Sequence, residues 1–312
     1  MLIAFNELSM QVQDNLSVAS SQIRGLVRLG AALRKEDVGV LFPVNFCNQR
    51  IYERYTVQDW LQDKRASRDI KNRLRILITK HGNLETHLGE LSGYECLFEE
   101  QTSSGLLFAA CRNRFSAGMA SEGWKRNSID VTLRAMDDDC NISEVKIKIA
   151  NIWDENGAKG AGERISQSEC ANFSVRHGED LIRLIDRYRD CIAVGTKARK
   201  GLSAMRGTEI TFSAVVEAVK MMVIRAISWS RAPDTRFEDG LGLRASDESE
   251  ATMNSYGDAR KFPDEEGTKI TCSWHIKLGP QAWRIHYVVR APQRSVLIGY
   301  VGEHLRTVSD PT

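Results

Sequence analysis

Apolar and polar residues alternate along the chain with two periods, one typical of helices and one typical of strands. Residues 15–36 carry apolar side chains at helical spacing, with Arg and Lys among the polar positions. A short apolar run at residues 38–44 predicts a strand. Thr56 is a good N-cap for one long or two short helices that extend toward Gly82. This part of the chain is therefore expected to be rich in helices.

The middle of the chain follows the two-residue period of β-strands. Residues 91–101 and 104–113 predict a first pair of strands. Residues 128–152 predict a clearer hairpin that turns at residues 137–141, because the apolar side chains of each of its strands fall on one face. Central antiparallel strands are therefore expected.

Helical spacing returns after a glycine-containing segment at residues 154–163. This segment lacks the Gly-Lys-Ser/Thr sequence of a phosphate-binding loop, so it predicts a flexible connection. The two clearest helices of the chain are predicted at residues 178–193 and 211–229. Residues 230–263 are polar and rich in turn-forming residues, which predicts a long surface segment that covers or borders a site.

The C-terminal residues predict an antiparallel β-meander in which alternation separates two faces. Short turns are predicted at residues 279–282 and 291–294, between strands of alternating polarity. The apolar face contains Cys272, Trp274, Ile276, Ile285 and Tyr287. The polar face contains His275, Lys277, Arg284, His286 and Arg290. Such a polar face is also what the solvent side of an ordinary antiparallel sheet carries.

These elements together predict the fold class. We expect an α+β protein with N-terminal helices, central antiparallel strands, two helices and a C-terminal antiparallel β-meander. The expected organisation is an N-terminal α+β region over residues 1–165, followed by a helical segment and the C-terminal sheet over residues 166–312.

Composition and charge narrow the classes of partner. The 312 residues include 43 basic and 41 acidic side chains, and this net charge of +2 gives no field over the whole chain that would attract nucleic acid. The seven cysteines form no CxxC pair, so we expect neither disulfides nor a structural metal ion. No apolar run is long enough to cross a membrane and no signal peptide is recognisable, which predicts a cytoplasmic protein without a membrane partner.

The polar face of the meander is the main candidate for chemistry. Arginine and lysine bind phosphate groups, and a histidine acts as general acid or base near neutral pH. We therefore predict catalytic roles for His275, Arg284 and His286 in metal-independent RNA cleavage through the ribose 2′-hydroxyl. The predicted nucleic-acid-binding residues are Lys277, Arg290, Lys269 and His304.

The run WRIHYVVRAPQRSVLIGYVGEHLRT resembles the final hairpin of RelE/ParE-type toxins over about the last thirty residues. The resemblance implies that basic residues of the sheet contact mRNA, with Arg284 at a phosphate and His304 near the end of the chain. The chain differs from those compact toxins in its long N-terminal part. The FNELS opening, with the WHIKL, RIHY and IGYVGEHL segments, also resembles an uncharacterised group of bacterial proteins associated with mobile elements and phage defence.

A second candidate site lies on the middle hairpin. Nucleases of the PD-(D/E)xK class place an Asp on one strand and Glu-x-Lys on the next, where the carboxylates bind Mg²⁺. Asp130, Glu144 and Lys146 provide these residue types. The same tripeptide is common on the solvated face of a hairpin.

Three functions remain open from the sequence. The first is a nucleic-acid-binding bacterial protein, acting on RNA rather than DNA, as a metal-independent RNase-like effector in phage defence without a cofactor. The second is a non-enzymatic subunit that contacts other proteins from the same gene cluster in an antiviral complex. The third is the Mg²⁺-dependent nuclease. The sequence does not decide whether the protein is an enzyme.

Overall fold

The computed structural model shows an α+β protein, as the sequence predicts. The structure describes residues 1–136, 140–207, 211–231, 235–278 and 283–308. Two compact units divide the chain, residues 1–169 and residues 170–312. Most of the predicted hairpin turn, residues 137–139, and the predicted turn at residues 279–282 lie outside the described residues.

The first helices of the N-terminal unit begin where the sequence offers capping side chains. The Asn15 side chain accepts a hydrogen bond from the backbone nitrogen of Val18 at 2.9 Å and starts α1 (Leu16–Lys35). Thr56 forms a capping box with Asp59 and starts α2 (Val57–Gln62), and α3 (Arg68–Thr79) follows. The predicted amphipathic helix and the predicted cap at Thr56 are therefore confirmed.

A seven-stranded mixed sheet packs against these helices. The strands of the unit are β1 (Leu2–Phe5), β2 (Gly39–Leu41), β3 (Arg50–Tyr52), β4 (Tyr55–Thr56), β5 (Tyr94–Phe98), β6 (Gln101–Thr102), β7 (Phe115–Ala117), β8 (Ser128–Met136) and β9 (Ile142–Ile152). The order across the sheet is β2-β1-β7-β9-β8-β5-β6, whereas β3 and β4 form a separate hairpin. The first four strands in this order are parallel and the remainder are antiparallel. The predicted hairpin of β8 and β9 is confirmed.

Two predictions in this unit are wrong. Residues 104–113 were expected to form a strand, but α4 (Ser104–Cys111) is a buried helix capped by the Ser103 hydroxyl. Its buried residues are almost all apolar, so its sequence shows no amphipathic stripe. The segment expected to be a flexible connection contains α5 (Glu155–Ala158), capped by Asp154, and the start of α6 (Ala161–Asn172).

The C-terminal unit contains a five-stranded sheet and four helices among its described residues. The helices are α7 (Gly178–Arg187), α8 (Thr196–Ala204), α9 (Phe212–Arg231) and α10 (Glu250–Tyr256). The strands are β10 (Ile192–Val194), β11 (Ala245–Asp247), β12 (Lys261–Pro263), β13 (Lys269–Thr271), β14 (Trp274–Leu278), β15 (Trp283–Arg290) and β16 (Ser295–Gly302). The sheet order is β10-β16-β15-β14-β11, and β12 pairs with β13 separately. The predicted β-meander is confirmed.

Long-range pairing explains where the predictions for this unit fail. The helix expected over residues 178–193 ends at Arg187, because Ile192–Val194 pairs in parallel with β16. The segment expected to lie on the surface, residues 230–263, contributes β11, α10 and β12. It also buries Phe237 and Arg260. None of these long-range partners is visible in a local sequence pattern.

Among the described residues, no helix combines the length and the apolar character needed to cross a membrane.

Asp180 at the start of α7 makes the stability of the C-terminal unit depend on pH. Its carboxylate accepts hydrogen bonds from the backbone nitrogens of Arg176 at 2.8 Å and His177 at 3.0 Å, and from the Arg183 guanidinium. The hydrogen bond from Arg176 is the main cause that lowers the pKa of Asp180 to about 2.

The direction of this pH dependence follows from the lowered pKa. The folded state binds the proton less readily than the unfolded state, so the stabilisation is complete above pH about 4 and is lost as the pH falls toward about 2. We expect Asp180→Asn to make the urea midpoint for unfolding of this unit depend less on pH over that range. A variant with the same acid dependence as the parent would contradict this role.

Candidate functional site

The register of the C-terminal sheet brings the predicted catalytic residues together. His275 on β14 lies opposite His286 on β15, and the two ring centroids are 5.4 Å apart. Lys277 lies opposite Arg284 on the same face, because residues two apart on a strand point the same way. Tyr300 of β16 lies opposite His286 on its other side. The convergence that the sequence suggested is therefore present.

The two imidazoles do not lie on an open face. His275 is 8% exposed and His286 is 1% exposed. The ring of Phe262 on β12 lies 6.0 Å from the ring of His286 and stacks on Tyr300 at 5.4 Å. The expected display of both histidines to solvent is thus wrong, because β12 packs over this part of the sheet.

Burial also changes the acid-base properties of the pair. Desolvation is the main cause that lowers the pKa of His275 to about 4 and that of His286 to about 3. Neighbouring cations, among them Arg284 for His275 and Arg260 for His286, act in the same direction. Both imidazoles are therefore neutral near pH 7, with one N–H donor and one acceptor nitrogen each, and neither carries the extra proton that a general acid transfers.

Several ring nitrogens in this pair lack a hydrogen-bond partner within the described part of the chain. They are Nδ1 of His275 and both nitrogens of His286, although the Cys272 backbone lies close enough to raise the pKa of His286. The other nitrogen of His275, Nε2, lies 3.2 Å from the Ser246 hydroxyl. A buried polar atom without a partner costs about 1–3 kcal/mol, so this arrangement is unfavourable as it stands.

A buried acid and a buried base adjoin the histidines. Glu248 Oε1 accepts hydrogen bonds from Nε and Nη2 of Arg260 at 3.1 Å and 3.0 Å. The same oxygen lies 3.7 Å from Nδ1 of His275. Glu248, His275 and His286 each offer a ligand atom, and these three atoms lie within 4.8 Å of one another. This is the set of described side chains that could hold a metal ion.

Three cations form a row beside this cluster, toward the end of the sheet. Lys277 pairs with Arg284 across β14 and β15. On the other side of Lys277, its backbone nitrogen donates to the Arg244 carbonyl at 3.2 Å, just before β11. Alternation places all three side chains on the face of Ser246, His275 and His286. We call Arg244, Lys277 and Arg284 the cation row.

The cation row carries little compensating negative charge. Arg244 and Lys277 are exposed and make no ion pair with any described residue. Arg284 is half-buried, donates from Nη1 to its neighbour's carbonyl, and has its pKa lowered mainly by burial. Like charges directly opposite one another destabilise a sheet, so this row is maintained at a cost.

Of the other predicted nucleic-acid-binding residues, Arg290 and Lys269 lie apart from the cation row and His304 lies near its end. Arg290 is at the far end of β15 and pairs with Asp264 and Glu265 at 3.4 Å and 3.0 Å. Lys269 is exposed on β13, in the small hairpin. His304 follows β16 and is near enough to lower the pKa of both buried histidines.

The alternative nuclease residues do not meet. In the hairpin of β8 and β9, Asp130 lies opposite Lys148, whereas Glu144 lies opposite Arg134 and bonds it at 2.6 Å. The register therefore separates the two carboxylates by four residues along the strand, about 13 Å. Thr132 is the residue opposite Lys146. This geometry does not support a Mg²⁺ site formed by Asp130, Glu144 and Lys146.

Sequence patterns did not reveal Ser246, Glu248, Arg244 or Arg260. All four lie in the segment predicted to be a surface connection. The strand that positions Ser246 has three residues, which is too short for alternation to show. The signal that could have drawn attention to them was the mixed charge of a segment predicted to border a site.

A separate pocket in the N-terminal unit also combines apolar and cationic residues. Its volume is about 460 Å³, and it lies between α1, α3 and β2. Val27, Val38 and Leu77 contribute apolar surface, and Arg34 and Lys80 contribute charge. Substitutions of Arg34 and Lys80 in this pocket remove the same charge as substitutions in the cation row and are a matched control for them.

The chain was compared with models of protein families, with curated proteins and with solved structures, and it matches none of them. The resemblances to RelE/ParE-type toxins and to phage-defence proteins therefore remain predictions.

Proposed function

We propose that the C-terminal unit binds the phosphate backbone of a nucleic acid, with single-stranded RNA as the first candidate, along the cation row. The observation that carries this proposal is the alignment of three cations on neighbouring chain segments, two of them without a counter-ion among the described residues. An anionic partner would remove the mutual repulsion of these side chains.

The spacing of the row suits a flexible polyanion. Neighbouring strands lie about 4.8 Å apart, so three adjacent segments present a short line of positive charge. Proteins that bind single strands use such positive surfaces to follow the backbone. The near-neutral charge of the whole chain is compatible with this, because the cations are clustered locally.

We propose that the cation row binds RNA and that His275 and His286 do not cleave it. A general acid or base must reach the proton that it transfers. Both imidazoles are buried, with Phe262 of β12 beside His286, and burial is the main cause that lowers the pKa of each. Arg284 keeps its predicted role as a phosphate contact, and Lys277 keeps its role in nucleic-acid binding.

The test measures the affinity of the full chain for labelled single-stranded RNA, single-stranded DNA and duplex DNA over a range of salt concentrations. We expect Arg244→Ala/Lys277→Ala to weaken binding to RNA of any sequence. The slope of log K against log salt should fall in magnitude by about 1.4, since each phosphate contact with a single strand contributes about 0.7. All titrations contain EDTA, so that binding is independent of metal ions.

Two control variants accompany this measurement. Arg34→Ala/Lys80→Ala removes the same charge from the N-terminal unit and is expected to leave the slope unchanged. Lys200→Ala removes an exposed lysine of the C-terminal unit and should also have no effect. Absence of binding to every probe, or an equal slope for Arg244→Ala/Lys277→Ala and the parent, would refute the proposed function. If the parent binds DNA more tightly than RNA, the cation row remains the proposed binding surface and DNA replaces RNA as its ligand.

A second candidate, contact with another protein, is favoured by the end of the β8–β9 hairpin. Tyr94 of β5 and Val145 are exposed on one face there, and Met136 and Ile142 on the other. Exposed apolar patches often mark protein interaction sites. Light scattering tests this candidate. A mass above that of one chain for the parent, and a return to the mass of one chain for Val145→Lys, would favour protein contact over RNA binding.

A further inference from the structure

The cluster of Glu248, His275 and His286 has the geometry of three ligands that point toward one centre. One ligand atom from each residue lies within 4.8 Å of the other two. Ligands of a tetrahedral ion with bonds of about 2.1 Å lie about 3.4 Å apart, so binding requires the side chains to move inward by on the order of 1 Å. His275 and His286 already lie opposite each other on paired strands.

Independent support comes from His286. Its side chain is almost fully buried, and neither ring nitrogen makes a hydrogen bond of normal geometry with a described residue. Nδ1 of His275 is likewise buried without a hydrogen bond and faces Glu248. Buried polar atoms in folded proteins are nearly always satisfied by protein, water or an ion, so these nitrogens indicate an absent partner.

Two of the three side chains also have an outer partner of the kind that orients a metal ligand. The Ser246 hydroxyl lies 3.2 Å from Nε2 of His275. Arg260 holds Oε1 of Glu248. In metal sites, ligating histidines donate their second nitrogen to such groups and ligating carboxylates are themselves hydrogen-bonded.

We propose that Glu248, His275 and His286 bind one divalent transition-metal ion, with Zn²⁺ as the best fit. Two imidazoles and one carboxylate are a donor set that Zn²⁺ accepts, whereas Mg²⁺ and Ca²⁺ prefer oxygen ligands. A fourth position is left for water or for a further side chain. Its three residues follow no metal-binding spacing, so the site is not visible in the sequence.

Glu248 supplies the negative charge of the cluster, and Arg260 and Arg284 bring positive charge close to it. Arg260 contacts Oε1 of Glu248, and the same oxygen lies 3.7 Å from Nδ1 of His275. Because His275 and His286 are on adjacent strands and Glu248 follows β11, the ion would join three strands of the sheet.

The experiment uses the full chain purified without chelators. Mass spectrometry of the metal content is expected to give one ion per chain. After removal by a chelator, Zn²⁺ and Co²⁺ are titrated back by calorimetry and absorption spectroscopy. Glu248→Gln and His286→Gln should each weaken binding more than 100-fold, which exceeds the 10–100-fold loss expected for the outer-partner variant Ser246→Ala. His81→Ala, which removes a histidine from the N-terminal unit, should bind as the parent does.

The Co²⁺ spectrum separates this site from binding by the seven cysteines. Nitrogen and oxygen ligands give the visible bands of the ion without the thiolate charge-transfer bands of a cysteine site. Thiolate bands, no ion bound at equimolar Zn²⁺, or unchanged affinity in both Glu248→Gln and His286→Gln would overturn the proposal. Circular dichroism checks that the variants fold. If they do not fold, the Co²⁺ absorption spectrum of the parent and its number of bound ions per chain decide whether the proposal stands. RNA binding in EDTA is measured separately, so either proposal can fail alone.

Discussion

Replacing Arg260 by methionine is expected to lower the free energy of unfolding of the C-terminal unit by about 3–5 kcal/mol. Arg260 is completely buried, and its guanidinium donates to Glu248, to the Tyr256 carbonyl and to the Arg306 carbonyl. Methionine fills a similar volume but leaves the carboxylate of Glu248 without its cation. Removal of one partner from a buried ion pair costs far more than the pair itself contributes, because the remaining charge is not solvated.

Hydrogen exchange of the amides in β14 and β15 measures this effect in the unit concerned, and EDTA removes any contribution from metal ions. Glu248→Gln/Arg260→Met is the informative comparison, since it removes both charges and should recover part of the loss. Arg199→Met, which breaks an exposed ion pair with Asp186, should cost less than about 1 kcal/mol. A small loss in Arg260→Met would show that Glu248 finds another partner.

Gly178→Ala is expected to cost about 3 kcal/mol, at the upper end of the range for overpacking. A Cβ atom at this position would lie 1.7 Å from the carbonyl oxygen of Leu202 at the end of α8. The obstacle is backbone rather than a flexible side chain. The first turn of α7 and the last turn of α8 would therefore have to separate, and the hydrogen bond from Gly178 N to the Met205 carbonyl would weaken.

Urea unfolding of the C-terminal unit measures this loss, and Gly257→Ala is the matched control. A Cβ on Gly257 would meet only the Cε of Met253, at 3.6 Å, which is an ordinary contact. Gly257→Ala should therefore change stability by less than about 1 kcal/mol. Equal effects of the two substitutions would mean that the approach of α7 to α8 is not what excludes a side chain at Gly178.

Local patterns predicted those elements that are determined by neighbours in the sequence. The helical spacing of residues 15–36, the cap at Thr56 and the alternation of residues 274–278 identified α1, α2 and β14. The same patterns failed for α4, whose apolar sequence shows only that it is buried. They also failed for residues 192–194, which become a strand because β16 lies beside them.

The candidate site shows the same division. Alternation correctly grouped His275 with Lys277 on one face, and His286 with Arg284. It could not show that the part of that face around His286 is covered, because Phe262 reaches His286 from a strand that the sequence did not reveal. The charged partners Glu248 and Arg260 are brought in by tertiary packing, so no spacing rule identifies them.

The position of β16 has a consequence for synthesis of the protein. β16 lies between β10 and β15, although Ile192 precedes its partner Val296 by about a hundred residues of chain. The sheet of this unit therefore cannot close until β16 has left the ribosome. During that interval β10 lacks its strand partner, and its edge is the surface through which a nascent chain would aggregate or recruit a chaperone.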